Sequence, residues 1–457
     1  MDMVQQLQQQ RVYFNTGVTR PYEYRKAQLQ KLKAAIQQYE SQLHDALYAD
    51  LKKSPEECWV TETGMVISEI NAALKHLRDW MEPVRSGTNL LNLPSGSRVL
   101  SEPLGVVLVI GPWNYPFQLL INPLVGAIAA GNCVVLKSSE YAPATSTVMK
   151  SMIESIFPPG YILFVEGDGA TVVPQLMNHF AFDHVFFTGS TTVGRIVYKM
   201  AAEHLTPVTL ELGGKSPCVV ESDANIKVAA RRIVVTKFSN AGQMCVAPDY
   251  VLVHRLKKEA LVAAMKNAIA QFYSEQPEES YNYGKMINEK QFNRVVQYVS
   301  QGKIVHGGRH DKSKLFIEPT IIEEIPAGAS VMEEEIFGPV LPVIPFDSAE
   351  EALAIIARHP NPLAFYVFTS SSKKEESWLN SVAFGGGCVN NASWHLTNHN
   401  LPFGGRGASG MGNYHGRYSF DTFSHKKAVM KTPAWFDPNI KYPPFKGKLG
   451  LFKKVIR

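Results

Sequence analysis

Val106-Val107-Leu108-Val109-Ile110-Gly111-Pro112-Trp113-Asn114-Tyr115-Pro116 is an unbroken apolar run that ends in a glycine- and proline-built turn. A continuous run of aliphatic residues suits a strand buried on both faces of a parallel sheet, where neither face meets water. The turn leaves Trp113 and Asn114 just past the strand's carboxyl end. Ligands of open α/β sheets bind at that edge.

The same rhythm continues downstream. Residues 119–130 read as a helix stopped by Gly131, and Val134-Val135-Leu136-Lys137 reads as the next strand. A further helix, a strand at 161–165, and Val185-Phe186-Phe187 running into Thr188-Gly189-Ser190 extend it. Strands alternating with helices imply a doubly wound α/β sheet. Upstream, Leu29, Leu32, Ile36, Leu43 and Leu47 recur at helical spacing within 24–51, and a second helix is expected over 61–80. Residues 83–103 carry Pro83, Gly87, Pro94 and Gly96 and read as a turn-rich connection. After Gly214 a second α/β segment runs toward about residue 420, with Gly385-Gly386-Gly387 and Gly404-Gly405-Arg406-Gly407 reading as tight turns beside a cleft.

With 457 residues, two or three domains are expected rather than one core. The content is 45% hydrophobic and 19% charged with a net charge of +5, which describes a soluble chain and gives little support to nucleic-acid binding. The five cysteines (Cys58, Cys133, Cys218, Cys245, Cys388) form no CxxC and have no close histidine partners. That pattern argues for a reducing, cytoplasmic compartment and against a disulfide framework or a metal site. The polar, Gln-rich start offers no secretory signal, and no apolar run is long enough to span a bilayer. Residues 441–457 mix aromatics with lysines and read either as a basic amphipathic element for an anionic membrane surface or as a packed terminus, with two glycines weakening any helix.

Two stretches carry chemistry. Ser239-Asn240-Ala241-Gly242-Gln243-Met244-Cys245 follows an apolar helix at 228–235, so its turn can present a free thiol at a cleft. Leu210-Glu211-Leu212-Gly213-Gly214-Lys215 ends an apolar strand on one carboxylate beside two glycines that permit close approach. A thiol and a lone carboxylate suffice for nucleophilic catalysis with a general base. Gly189-Ser190-Thr191-Thr192-Val193-Gly194 is either a phosphate-binding helix start or simply a tight turn. Glu140 is either a ribose ligand or a helix-start acid.

In order and spacing, Pro112-Trp113-Asn114-Tyr115-Pro116, Phe187-Thr188-Gly189-Ser190, Glu211-Leu212-Gly213-Gly214-Lys215, Gln243-Met244-Cys245, Glu334-Glu335-Ile336-Phe337-Gly338-Pro339 and Pro402-Phe403-Gly404-Gly405 resemble the aldehyde dehydrogenase superfamily over nearly the whole chain. The short N-terminus and the 409–425 stretch resemble its class-3, fatty-aldehyde branch. That resemblance implies NAD-dependent oxidation of an aldehyde to the acid, with NADP as the alternative cofactor. It implies Cys245 as nucleophile, the Asn114 side chain and the Cys245 N–H as oxyanion donors, and Glu211 as the base for deacylation. Lys137 and Glu140 would take the adenosine ribose, Ser190 the pyrophosphate region, and Glu335 with Phe337 the nicotinamide ribose and its surroundings, with Trp113, Gly189 and Gly194 also among the cofactor-binding residues. One departure from the family's pattern is Ser138, where proline commonly follows this lysine.

The resemblance further implies three parts: a cofactor domain of 1–82 and 104–210, a catalytic domain of 211–422, and a bridging element of 83–103 with 423–457. It also implies a homodimer acting on medium- or long-chain aliphatic or aromatic aldehydes. The competing reading is a CoA-acylating or reductive relative that handles the thioester differently. Glu211 favours water as the acceptor.

Overall fold

The computed structural model describes residues 3–456. It begins with helix α1 (Met3–Asn15), where the sequence offered only a polar stretch. The fully buried Gln10 explains this, since its amide donates to the carbonyls of Val134 and Pro159 at 3.0 and 3.1 Å. Helices α2 (Tyr22–Leu51) and α3 (Gly64–Met81) carry the expected apolar faces, with Leu29, Leu32, Ile36, Leu43, Leu47, Ile70 and Leu77 fully buried. The second helix does not begin regularly at Thr61, because Trp59–Thr63 forms a π-helical turn.

Residues 83–103 are not merely a connection. They form β1 (Val84–Ser86) and β2 (Gly96–Pro103), and β2 pairs along its whole length with Ser424–Lys431. A strand whose partner lies more than 300 residues away leaves no local signal; turn chemistry dominates its reading instead.

Strands β3 (Val106–Ile110), β4 (Cys133–Lys137), β5 (Ile162–Val165), β6 (His184–Thr188) and β7 (Val208–Glu211) make a parallel sheet in the order β7-β6-β3-β4-β5. All five residues of β3 are buried, as its unbroken apolar run requires. Helices α4 (Gln118–Ala130), α5 (Pro143–Ile156), α6 (Gly169–His179) and α7 (Thr191–Glu203) connect these strands. Every residue of α4 is buried, and it is a core helix apolar apart from Gln118 and Asn122. The order reverses beside β3, which places the turns after β3 and β6 together at the carboxyl edge.

The second sheet contains β8 (Pro217–Val220), β9 (Tyr250–His254), β10 (Lys303–His306), β11 (Thr320–Glu323), β12 (Val340–Phe346), β13 (Ala364–Phe368) and β14 (Gly386–Val389), in the order β10-β11-β12-β9-β8-β13-β14. Helix α8 (Ile226–Phe238) leads from this sheet's first strand toward the thiol. The Gly385–Gly387 run, expected as a turn, opens β14. A Cβ on Gly387 would stand 2.2 Å from the Phe365 carbonyl oxygen, so only glycine allows that strand pairing.

Within the 211–422 stretch, residues 410–411 reach the first sheet. There β15 (Gly410–Met411) pairs antiparallel with β7, Gly410 opposite Glu211. The following helix, Arg417–Thr422, packs so closely on α4 that a Cβ on Gly126 would lie 2.5 Å from that of Ser419. The final strand, β16 (Ser424–Lys431), completes the arm with β2 and β1. Near the chain end a short helix, Leu449–Val455, forms despite containing Gly450. Among the described residues, no helix is long and apolar enough to cross a membrane.

Candidate active site

The thiol loop is a strained turn locked by side-chain amides. After α8, Asn240 (φ 50°), Ala241 (φ 51°) and Gly242 (φ 75°) are successively left-handed. Two of these carry side chains that disfavour that conformation. Gln243 compensates, donating to the carbonyls of Asn240 (2.9 Å) and Lys285 (3.0 Å) and accepting from the Ile287 N–H (3.0 Å). A Cβ on Gly242 would sit 2.3 Å from the Gly338 carbonyl oxygen, so the loop has no room to shift. The result aims a half-buried Cys245 into a cavity of about 190 Å³.

Asn114 meets this loop directly. Its side-chain amide donates to the Gln243 carbonyl at 3.1 Å, and its own carbonyl accepts from the Asn240 side chain at 2.9 Å. Glu211 ends β7 fully enclosed, and neither carboxylate oxygen has a hydrogen-bond partner. Burial therefore raises its pKa well above the carboxylate range. The Cys245 thiol is pushed up to about 12, first by burial and then by the facing carboxylates of Glu335 and Glu211. Both carboxylates are thus near enough to disfavour the thiolate. Cys245 keeps part of its surface open to the cavity.

The other singled-out residues line the carboxyl edge of the first sheet or the loop facing it. Lys137, the last residue of β4, is buried and donates to the Ser138 carbonyl, with Glu140 Oε2 3.4 Å from its Nζ. Gly189 and Ser190 follow β6. Ser190 Oγ caps α7 by accepting from the Val193 N–H at 3.4 Å. Gly194 has a packing role, since a Cβ there would come within 2.6 Å of Leu212 Cδ2. Glu335 lies against the glycine pair after Glu211; a Cβ on Gly213 would stand 1.9 Å from its Oε2. Burial and Asp249 push the Glu335 carboxyl up to about 8. Phe337, left-handed at φ 45°, meets Trp113 edge-on at 5.2 Å.

Several residues here gave no sequence signal. Lys215 pairs with Asp249 in the interior and donates to the carbonyls of Val331 and Glu334 at 2.8 Å each. Asp249 also accepts from the Ile336 N–H at 2.9 Å, so this pair pins the loop carrying Glu335 and Phe337. Lys53 and Glu62 form a second buried pair at 2.6 Å. Their flanks are polar, as in Lys52-Lys53-Ser54 and Thr61-Glu62-Thr63, and give no hint of burial. The cavity wall is mostly apolar, with Val60, Met65, Leu119, Trp394, Leu396 and Phe403 around the thiol.

A family model described as the aldehyde dehydrogenase family matches residues 7–429. The chain belongs to the aldehyde dehydrogenase family. It is an oxidoreductase acting on the aldehyde group. It is 44% identical over 449 residues to the 4,4'-diaponeurosporen-aldehyde dehydrogenase of Staphylococcus aureus (strain NCTC 8325 / PS 47), covering 98% of this chain and 97% of that one. It is likewise 44% identical over 449 residues to aldehyde dehydrogenase family 3 member H1 of Arabidopsis thaliana, covering 97% and 92%. Among solved structures, the substrate-bound state of Staphylococcus aureus AldH matches with a TM-score of 0.97 at 43% identity over 100% of both chains. An indole-3-acetaldehyde dehydrogenase complexed with NAD+ matches at 0.85 with 28% identity, over 94% of this chain and 89% of that one. The class-3 resemblance read from the motifs agrees with the family 3 relatives.

Proposed function

We propose that in this aldehyde dehydrogenase Cys245 is the nucleophile, Asn114 the oxyanion donor and Glu211 the base for deacylation. The observation that carries the proposal is the Glu211 carboxylate, enclosed without a hydrogen-bond partner and close enough to raise the pKa of the thiol. An unpaired buried acid is costly to maintain and is expected where chemistry uses it.

The thiol proton leaves toward one of the two carboxylates facing it, and Sγ bonds to the aldehyde carbon. The carbonyl oxygen takes the displaced electron pair and is met by the Asn114 amide and the Cys245 N–H. A bound nicotinamide would supply the acceptor for the hydride leaving that carbon. Cys245 then carries the acyl group as a thioester. Glu211, deprotonated, takes a proton from water; the water oxygen adds to the acyl carbon, the C–S bond breaks with its electron pair going to sulfur, the thiolate regains a proton from a carboxyl facing it, and the carboxylic acid leaves. Acid formation without added CoA or phosphate tests this against the acyl-transferring alternative. A dependence on either acceptor would overturn it.

The residues present fit a dinucleotide. The capped start of α7 offers backbone N–H groups to a phosphate. Lys137 with Glu140 at 3.4 Å supplies a donor and an acceptor for ribose hydroxyls. Glu335 would take the nicotinamide ribose, with Phe337 and Trp113 beside the ring. The Glu140 charge favours NAD over a 2′-phosphate, and the nearby lysine leaves NADP as the second choice. The apolar cavity favours medium- or long-chain aliphatic or aromatic aldehydes. A homodimer, a cytoplasmic setting and a peripheral membrane contact through the tail complete the reading. For the contact, the support is exposed Trp435, Leu449 and Ile456 near Lys446, Lys448, Lys453 and Lys454.

A further inference from the structure

The segment between α2 and α3 lies against the reaction centre, and three of its charged side chains hold different pieces of it. Lys53 is fully buried; its Nζ lies 2.6 Å from Glu62 Oε1, donates to the Asn114 carbonyl at 3.0 Å, and stands 3.8 Å from the centre of the Tyr115 ring. The second Glu62 oxygen accepts from the Gln118 N–H at 2.8 Å, at the first residue of α4. Glu57 accepts from the Asn240 N–H at 3.0 Å, at the first left-handed residue of the thiol loop. Glu62 itself lies within the π-helical turn, whose neighbouring residues Val60 and Thr61 line the cavity. Such turns are rare and recur at functional sites.

A buried ion pair is a poor source of stability, because desolvating both charges offsets most of their attraction. Orientation is a better account of this one. The Asn114 carbonyl receives two donors, Lys53 Nζ and Asn240 Nδ2. Together they fix the backbone from which the Asn114 side chain projects. Misplacing a donor by about 1 Å can cost on the order of a hundredfold in rate.

We infer that Lys53 and Glu62 are positioning residues for oxyanion stabilisation, holding Asn114 so that its amide meets the oxygen where charge develops. The inference rests on the proposed role of Asn114. The pair does not touch substrate; it acts through Asn114 and Tyr115.

The test removes both charges at once, Lys53→Met with Glu62→Leu, so that no uncompensated charge stays buried. The pre-steady-state burst of NADH is then measured, in the native background and with Asn114→Ala. The expected result is a burst about 10- to 100-fold slower with NAD affinity unchanged, shrinking to less than about twofold once Asn114 is already alanine, since residues acting through one another are non-additive. A native burst rate, or the same factor in both backgrounds, would overturn the inference. Glu62→Gln provides a second variant should the double one fold poorly: it keeps an acceptor for the Gln118 N–H but loses the charge. Its burst should slow several-fold, and an unchanged burst also overturns the inference. If Asn114→Ala alone left the burst at the native rate, the oxyanion role itself would fall, a separate outcome from failure of the pair.

Discussion

The side-chain amide of Asn114 donates to the carbonyl of Gln243 at 3.1 Å, two residues before Cys245. With the Asn240 side chain donating back to the Asn114 carbonyl, two hydrogen bonds join the turn after β3, in the first sheet, to the thiol loop that follows α8, beside the second. The proposed active site is a seam between sheets. Its chemistry depends on that seam being rigid.

Removing the thiol and removing the donor should differ in kind. Cys245→Ala should abolish turnover. Asn114→Ala should leave NAD affinity intact while slowing the NADH burst by about 10²–10³, the usual cost of one oxyanion donor. Stopped-flow fluorescence separates the two. An Asn114→Ala burst within twofold of native would remove the amide from the mechanism.

Glu211 carries a pH signature. Burial raises its pKa, so acidification protonates it at a pH well above the ordinary carboxylate range. A base works only when deprotonated, so kcat should fall as the pH drops toward that raised value. Glu211→Gln should keep a stoichiometric burst, slow acid release strongly, and lose that limb of the profile. Steady turnover at the native rate would contradict the assignment.

Much of this was legible beforehand, and the reason is local. The β3 run, the strand ending at Glu211 and the helix before Cys245 are each specified by their own residues, and the structure has them within three positions. What could not be read depends on distant partners. β2 needs Ser424–Lys431, Gln10 needs the carbonyls of Val134 and Pro159, and Lys53 needs Glu62 and Asn114. A lysine reads as surface until its buried acid is seen. Residues 410–411 likewise gave no hint that they would pair with β7.

Cofactor choice should respond to Glu140. Its carboxylate lies 3.4 Å from Lys137 Nζ, and removing it frees that ammonium for a 2′-phosphate. Glu140→Ala should shift the ratio of kcat/KM for NADP over NAD upward by about tenfold, in line with about 1.5–3 kcal/mol for a charged hydrogen bond less what is lost to solvent. An unchanged ratio would remove Glu140 from the ribose site.

Gly213 should matter through space rather than backbone freedom. A Cβ there would stand 1.9 Å from Glu335 Oε2, so Gly213→Ala must displace that carboxylate. The KM for NAD should rise about tenfold with a smaller change in the aldehyde KM, consistent with the loss of one charge-assisted hydrogen bond. Equal effects on both would point to general damage instead.

The tail offers the last test. Tyr442, Phe445, Leu449, Leu451 and Ile456 are all at least 46% exposed, in a stretch that also carries Lys441, Lys446, Lys448, Lys453 and Lys454. Each lysine near an anionic surface is worth about 1 kcal/mol, and the apolar side chains add burial at the headgroup boundary. The full chain should therefore co-sediment with phosphatidylserine-containing vesicles and less so as salt rises. A chain cut before Lys441 should stay in the supernatant while keeping its soluble-aldehyde activity, because the cavity wall contains no residue beyond His415. Equal binding by both chains, or by neither, would end the membrane reading and leave the exposed apolar side chains to a second copy of the protein.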